Sequence, residues 1–225
     1  MANPLFPPPP LPKRDACQDA HVILCNAHDA VRSFLDTFEA VRKTRNAKGM
    51  PTDEEQDLLR AMVLFAGAGL DSMAKQLIRD ALPAIIERDE GATVQFKDYI
   101  ERRLRDVEGS SRRFLADILG DRNPRELLFS RLVRDLTSDS LQSAEQLLKV
   151  AAYFNIPSER ISKNLGLLKE IFSVRNQIGH EMDIDFSQAN RSRRPRAKEK
   201  MVKFATELLA IAATFLAEVD SKLPG

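Results

Sequence analysis

TDEEQDLLRAMVLFAGAGLDSMAKQLI, running from Thr52 to Ile78, is the most apolar stretch of the chain and reads as one long helix. Leu58, Leu59, Met62, Val63, Leu64, Phe65, Ala66, Leu70, Met73, Leu77 and Ile78 recur at steps of three and four residues, the spacing of a buried helical face. Thr52, with Glu55 three residues later, is the signature of a capping box. Gly67 and Gly69 fall in the middle of the run, where glycine costs about 1 kcal/mol relative to alanine. Their presence predicts close helix packing at that point. Pro83 ends or kinks the helix.

The segments on either side repeat the pattern. Asp15 to about Ala47 reads as a long helix with Val22, Cys25, Phe34, Leu35, Phe38 and Val41 on its apolar face, stopped by Lys48-Gly49-Met50-Pro51. Thr93 to Ile156 reads as several shorter helices. Its breaks fall at Gly109-Ser110-Ser111, at Gly120-Asp121-Arg122-Asn123-Pro124 and at Thr137-Ser138-Asp139-Ser140, and Asn123-Pro124 is a good helix start. Ser158 to about Glu181 reads as one helix, Met182 to Pro195 as a polar loop, and Arg196 to Leu223 as a last amphipathic helix. No segment alternates as a strand does. The predicted fold is all-α, a helical bundle with residues 15–225 as one domain. The Pro-rich tail, residues 1–14, cannot be helical and is expected to be disordered or laid as a strap on the surface.

Composition bounds the function classes. Of 225 residues, 34 are Lys or Arg and 33 are Asp or Glu, so no global field announces a polyanionic partner and any anion site must come from local clustering. No run approaches the ~20 apolar residues of a membrane span, and the prolines before Arg14 interrupt the apolar core a signal peptide needs. A cytoplasmic protein without a membrane partner is expected. Cys17 and Cys25, two turns apart on one helix, lie ~12 Å apart, too far for a disulfide within that helix. They read as small buried hydrophobes. His21 and His28 read as surface or interface residues.

The chemistry is concentrated near the end of the Ser158–Glu181 helix. Ile161, Leu165, Leu168 and Phe172 form an apolar stripe, and its continuation reaches Arg175 and Gly179, so an arginine stands where an apolar residue is called for. Asn176 and His180, four apart, share a face. Arg175 and His180 are about 140° apart around an ideal helix, so one must swing toward the other or a second chain must complete the site. A histidine near its ordinary pKa can take a proton from a ribose 2′-hydroxyl, which then attacks the adjacent phosphate. The arginine fork can hold the charge growing on the phosphate oxygens, and the asparagine can orient either partner. Only RNA carries that hydroxyl, so the products would end in a cyclic phosphate. The same Arg and His also suit a helix C-terminus, where cations favour the dipole.

Arg175-Asn176-Gln177-Ile178-Gly179-His180 resembles the R-N-x-x-x-H form of the motif in HEPN-domain proteins. Leu64 to Ile78 resembles the early core helix of the HEPN branch associated with RiboL-PSP proteins, and together the likeness covers most of Thr52 to Leu223. The resemblance implies an HEPN-like bundle with additional helices. It implies a homodimer with a composite active site between paired motif helices. It further implies a metal-independent endoribonuclease, without cofactor, in toxin–antitoxin or antiphage defence, with an antitoxin protein as a partner. On that resemblance Arg175 binds phosphate, His180 is the acid/base and Asn176 positions, with Asp71 in a supporting role. The alternative is a catalytically inactive helical module that binds RNA, a nucleotide or a protein.

Past the motif lies a dense basic run. Arg191, Arg193, Arg194 and Arg196, followed by Lys198, Lys200 and Lys203, are candidates to track an RNA backbone, or else form a solvated loop and helix start. Arg102, Arg103, Arg105, Arg112 and Arg113 form a second patch, read as a solvated face because acids neighbour it. Glu181, Asp183 and Asp185 follow His180 closely and together could bind a hard cation, but a solvated loop is the plainer reading.

Overall fold

Thr52 caps the central helix as its sequence predicts. Its hydroxyl accepts from the Glu55 N–H at 3.4 Å, and the Glu55 carboxylate accepts from the Thr52 N–H at 2.9 Å. The same carboxylate receives Arg42 and Arg45 at 2.9 and 2.8 Å from the preceding helix. The computed structural model describes residues 7–46, 48–105, 110–141 and 143–224. It is all-α: among the described residues no strand occurs, and one isolated bridge pairs Ile184 with Arg193.

A single 3-10 turn, Asp15–Cys17, leads into α1 (Gln18–Thr44) and α2 (Asp53–Asp80). There follow α3 (Leu82–Ile86), α4 (Glu90–Arg105), α5 (Ser110–Gly120), α6 (Pro124–Thr137) and α7 (Ala144–Tyr153). The chain closes with α8 (Ser158–Ile161), α9 (Leu165–Glu181) and α10 (Lys198–Lys222). The break expected at Gly109 lies outside the described residues.

α2 is the axis of the bundle, packed along α1 and α10 and crossed by α9. Leu59, Met62, Val63, Ala66, Met73, Ala74, Leu77 and Ile78 are fully buried on it. Gly69 is what lets α1 close in: a Cβ there would sit 2.3 Å from the Cβ of Ala27. Burial of about 25 cal/mol per Å² over this continuous apolar cluster is the main stabilising term. No described helix is long and apolar enough to cross a membrane.

Four expectations are corrected. The helix read from Ser158 to Glu181 is two, because Ser162-Lys163-Asn164 interrupts it and the Asn164 side chain caps α9 by accepting from the Leu167 N–H at 2.9 Å. The buried face of α1 runs through Ala20, Leu24, Ala27, Val31, Leu35 and Phe38, which leaves Val22 exposed. Cys17 is buried, but Cys25 is only half-buried. His28 is buried instead of lying at the surface.

The described part of the Pro-rich segment, residues 7–14, lies against α1 and α10. The Lys13 and Arg14 N–H groups donate to the Asp220 carboxylate at 2.9–3.0 Å, and the Pro9 and Pro12 carbonyls accept from His21 and Gln18 at 3.3 Å. A stiff polyproline segment loses little entropy when laid down, so few bonds suffice. Met1–Phe6 lie outside the described residues.

Candidate functional site

Arg175 stands in the interface between α9 and α2, where its neighbours on α9 are apolar. Leu168, Ile171, Phe172, Val174 and Ile178 are buried on that helix, whereas Arg175 is half-buried. Gly67 of α2 lies beneath it. A Cβ on Gly67 would lie 3.4 Å from the Arg175 Cγ and 3.7 Å from its Nε. One turn further along, a Cβ on Gly179 would meet Leu64 at 3.5 Å. A glycine of each helix thus lies at this crossing, and the arginine stem passes over the Gly67 backbone. The guanidinium donates to the Asn176 Oδ1 at 3.2 Å.

His180 is exposed in the last turn of α9. Among the described residues no hydrogen bond joins it to Arg175 within one chain. The motif helix therefore brings together Arg175 and Asn176, and holds His180 apart at a solvent-facing position. On α2, Leu64 is half-buried and Phe65 and Ala68 are exposed, with the Phe65 ring 5.1 Å from that of Phe34 on α1. Asp71 is engaged elsewhere. Its carboxylate accepts from Lys75 at 3.1 Å and from the Leu141 N–H at 2.8 Å, so it fastens the start of the α7 segment to α2.

The turn after the motif is held by a network that sequence reasoning missed. Met182 and Asp183 both adopt left-handed backbone, φ 52° and 59°, which costs a non-glycine residue roughly 1 kcal/mol or more each. The conformation lets the Asp183 N–H donate to the Gln177 carbonyl at 2.9 Å. It also swings the Asp183 side chain into the protein, where it is fully buried. There Arg60, itself 2% exposed, donates to Oδ2 at 2.8 Å, and Arg196 donates to the same oxygen at 2.9 Å while also binding Oδ1. Arg196 further donates to the Gln177 Oε1 at 2.9 Å. The remaining Arg60 donors reach the Asp57 carboxylate and the Arg194 carbonyl at 3.0 and 2.9 Å. Arg60 interrupts the apolar face between Leu59 and Met62, and a buried cation needs a partner, so the sequence signals a buried anion without saying that it is Asp183.

This network changes the reading of the basic run. Arg196 is a ligand of Asp183. Arg193 pairs with Asp57 at 2.6 Å, and Arg194 pairs with Glu181 at 3.1 Å. Arg191 alone of the four is exposed, with its backbone at φ 48°. The acidic trio also separates, since Asp183 is enclosed by arginines, Glu181 faces Arg194 and Asp185 accepts from the Ser187 hydroxyl at 2.6 Å. Among the described residues no three His, Cys, Asp or Glu side chains form a metal-binding group. Compared with known proteins, the chain matches no family model, no curated protein and no solved structure.

Proposed function

We propose that this chain is a metal-independent endoribonuclease of HEPN type that works as a homodimer, with the motif helices of two copies sharing one cleft. The observation that carries the reading is the seating of Arg175. An arginine stem laid over Gly67 inside an apolar helix contact, with its guanidinium tied to Asn176, is a costly arrangement to keep for packing alone.

In the proposed reaction the His180 imidazole takes the proton of a ribose 2′-hydroxyl. The 2′-oxygen bonds to the neighbouring phosphorus, and the bond from phosphorus to the 5′-oxygen breaks. The leaving 5′-oxygen collects a proton from a protonated imidazole, supplied by the second copy's equivalent histidine in a paired site. Arg175 neutralises the phosphate oxygens as charge builds on them. Phe65 and Ala68, exposed on the helix that packs against the motif helix, support docking of a second copy there. Such an activity suits a cytoplasmic toxin or antiphage effector restrained by an antitoxin protein.

Removing either group tests this. His180→Ala and Arg175→Ala should each lower cleavage of a labelled RNA by 100-fold or more, on the order of a lost acid/base or oxyanion partner, while the fold persists. Undiminished cutting by His180→Ala would remove the proposed acid/base.

A second reading, a catalytically silent helical module, draws support from the pairing of Arg193, Arg194 and Arg196 with acids, which leaves little free positive charge beside the motif. Binding of RNA without cutting across a broad panel would favour it.

A further inference from the structure

The chain has two tyrosines, and both line one concavity whose lining contains none of the motif residues. α4 and α7 form its walls together with α6, and the space is about 530 Å³, within the range of small-molecule sites. Consecutive residues of α4 present two guanidinium groups there. Arg102 is fixed by donating to the Tyr153 hydroxyl at 2.8 Å. Arg103 is fixed by the Asp135 carboxylate and lies over the Tyr99 ring, 5.7 Å from its centroid. Lys149 adds an exposed ammonium at the rim.

Hydrogen-bond capacity says what is wanting. Tyr99 donates its O–H to Asp135 at 2.7 Å, so the one carboxylate lining the space is engaged by Tyr99 and Arg103. Tyr153 is 2% exposed, and its oxygen is taken by Arg102, which has no acceptor to offer in return. Among the described residues no acceptor receives the Tyr153 O–H, although a buried hydroxyl ordinarily finds one. Burial raises the Tyr153 pKa, so the proton is in place at neutral pH. Of the other acids on α4, Glu101 is paired with Arg105 at 3.0 Å, and the Asp98 carbonyl receives the Arg102 Nε, while the Asp98 carboxylate is near enough to help raise the Tyr153 pKa but accepts no hydrogen bond from it. Among the described residues the lining therefore offers donors and positive charge, and its acid, Asp135, is already engaged.

We infer that this concavity binds a small molecule through a terminal phosphate or diphosphate, with the Tyr153 hydroxyl, Arg102 and Lys149 as donors. A phosphate accepts at every oxygen and matches a site of donors alone. The space exceeds a single phosphate, so the rest of the ligand lies along the Tyr99 face. This site is independent of the ribonuclease reading and of Arg175 and His180.

Isothermal titration of the full chain with pyrophosphate, inorganic phosphate, a nucleoside triphosphate and the same nucleoside without phosphate tests it. Saturable 1:1 binding is expected for pyrophosphate and the triphosphate and none for the nucleoside. Tyr153→Phe, which keeps the ring, should weaken pyrophosphate binding by roughly fivefold to tenfold, one hydrogen bond to a charged acceptor. Lys149→Ala, an exposed change that leaves the fold intact, should weaken it by a similar factor. Absence of pyrophosphate binding, equal affinity in all three proteins, or nucleoside binding as tight as that of the triphosphate would each overturn the assignment.

Discussion

The side chain of Arg175 passes over the bare backbone of Gly67, so near that a methyl group there would touch its Cγ at 3.4 Å. Gly69, two residues on, meets the opposite helix: a methyl there would overlap the Ala27 Cβ at 2.3 Å. The two glycines thus call for different outcomes. Gly67→Ala should leave stability unchanged or raise it by up to about 1 kcal/mol from helix propensity, because a flexible arginine stem can give way. Gly67→Leu should push that stem aside, lower RNA cleavage and cost about 1–3 kcal/mol of stability, because the site is buried and Leu208 is also close. Gly69→Ala should destabilise by about 1–3 kcal/mol, since backbone and Cβ must part. Thermal melts and cleavage rates of the three variants check the contrast; equal stability losses from alanine at both positions would refute the Gly67 seat.

Asp183 is the anion of a fully enclosed ion cluster, with Arg60 and Arg196 on either side. Asp183→Ala should cost about 3–5 kcal/mol, because two buried or near-buried guanidinium groups lose their partner. Against a total of roughly 5–15 kcal/mol for a domain, that is a large fraction. The turn after His180 should loosen at the same time. Urea unfolding provides the number, and a loss below about 1 kcal/mol would show that water or another acid compensates.

Asp89 links the ends of the chain's fold. Burial alone would raise its pKa. The bonds it accepts from the Lys222 ammonium, the Ala92 N–H and the Asn155 amide outweigh that and hold it below the ordinary carboxylate range. A depressed folded-state pKa gives stability that is present above the unfolded value near ~4 and is lost as pH falls through the folded value. The chain should therefore weaken below about pH 4, in part through release of the α10 end. Asp89→Asn should lower stability at pH 7 by about 1–2 kcal/mol and flatten the acid limb of a stability profile. An unchanged acid limb in that variant would contradict the assignment.

Much of the helical layout was legible because each start and stop is chemistry between near neighbours. Thr52 and Glu55, Pro124 in the first turn of α6, and the apolar period of α2 and α10 all act within a turn or two of themselves, although the Asn123 side chain makes no cap bond. The Asn164 cap was equally local and was passed over because Ile161 and Leu165 kept the helical interval across it. The face of α1 was mistaken by a partial turn, since Val22 fits the pattern until Ala27 and Gly69 fix which side meets α2. The partners of Asp183 were beyond reach: Arg60 lies 123 residues away, and nothing local says that an aspartate after the motif turns inward. The motif residues could be named from spacing, but the bed of Arg175 on Gly67 required the crossing of two helices.

The decisive measurement is the chemistry of the cut ends. Wild-type protein in excess EDTA should be given an RNA oligonucleotide and a copy in which the nucleotide before the scissile bond is 2′-deoxy. The prediction is a 2′,3′-cyclic phosphate and a 5′-hydroxyl from the first, no cutting at that bond in the second, and none by His180→Ala. Cleavage of the deoxy copy at the same rate, or identical products from His180→Ala, would contradict it.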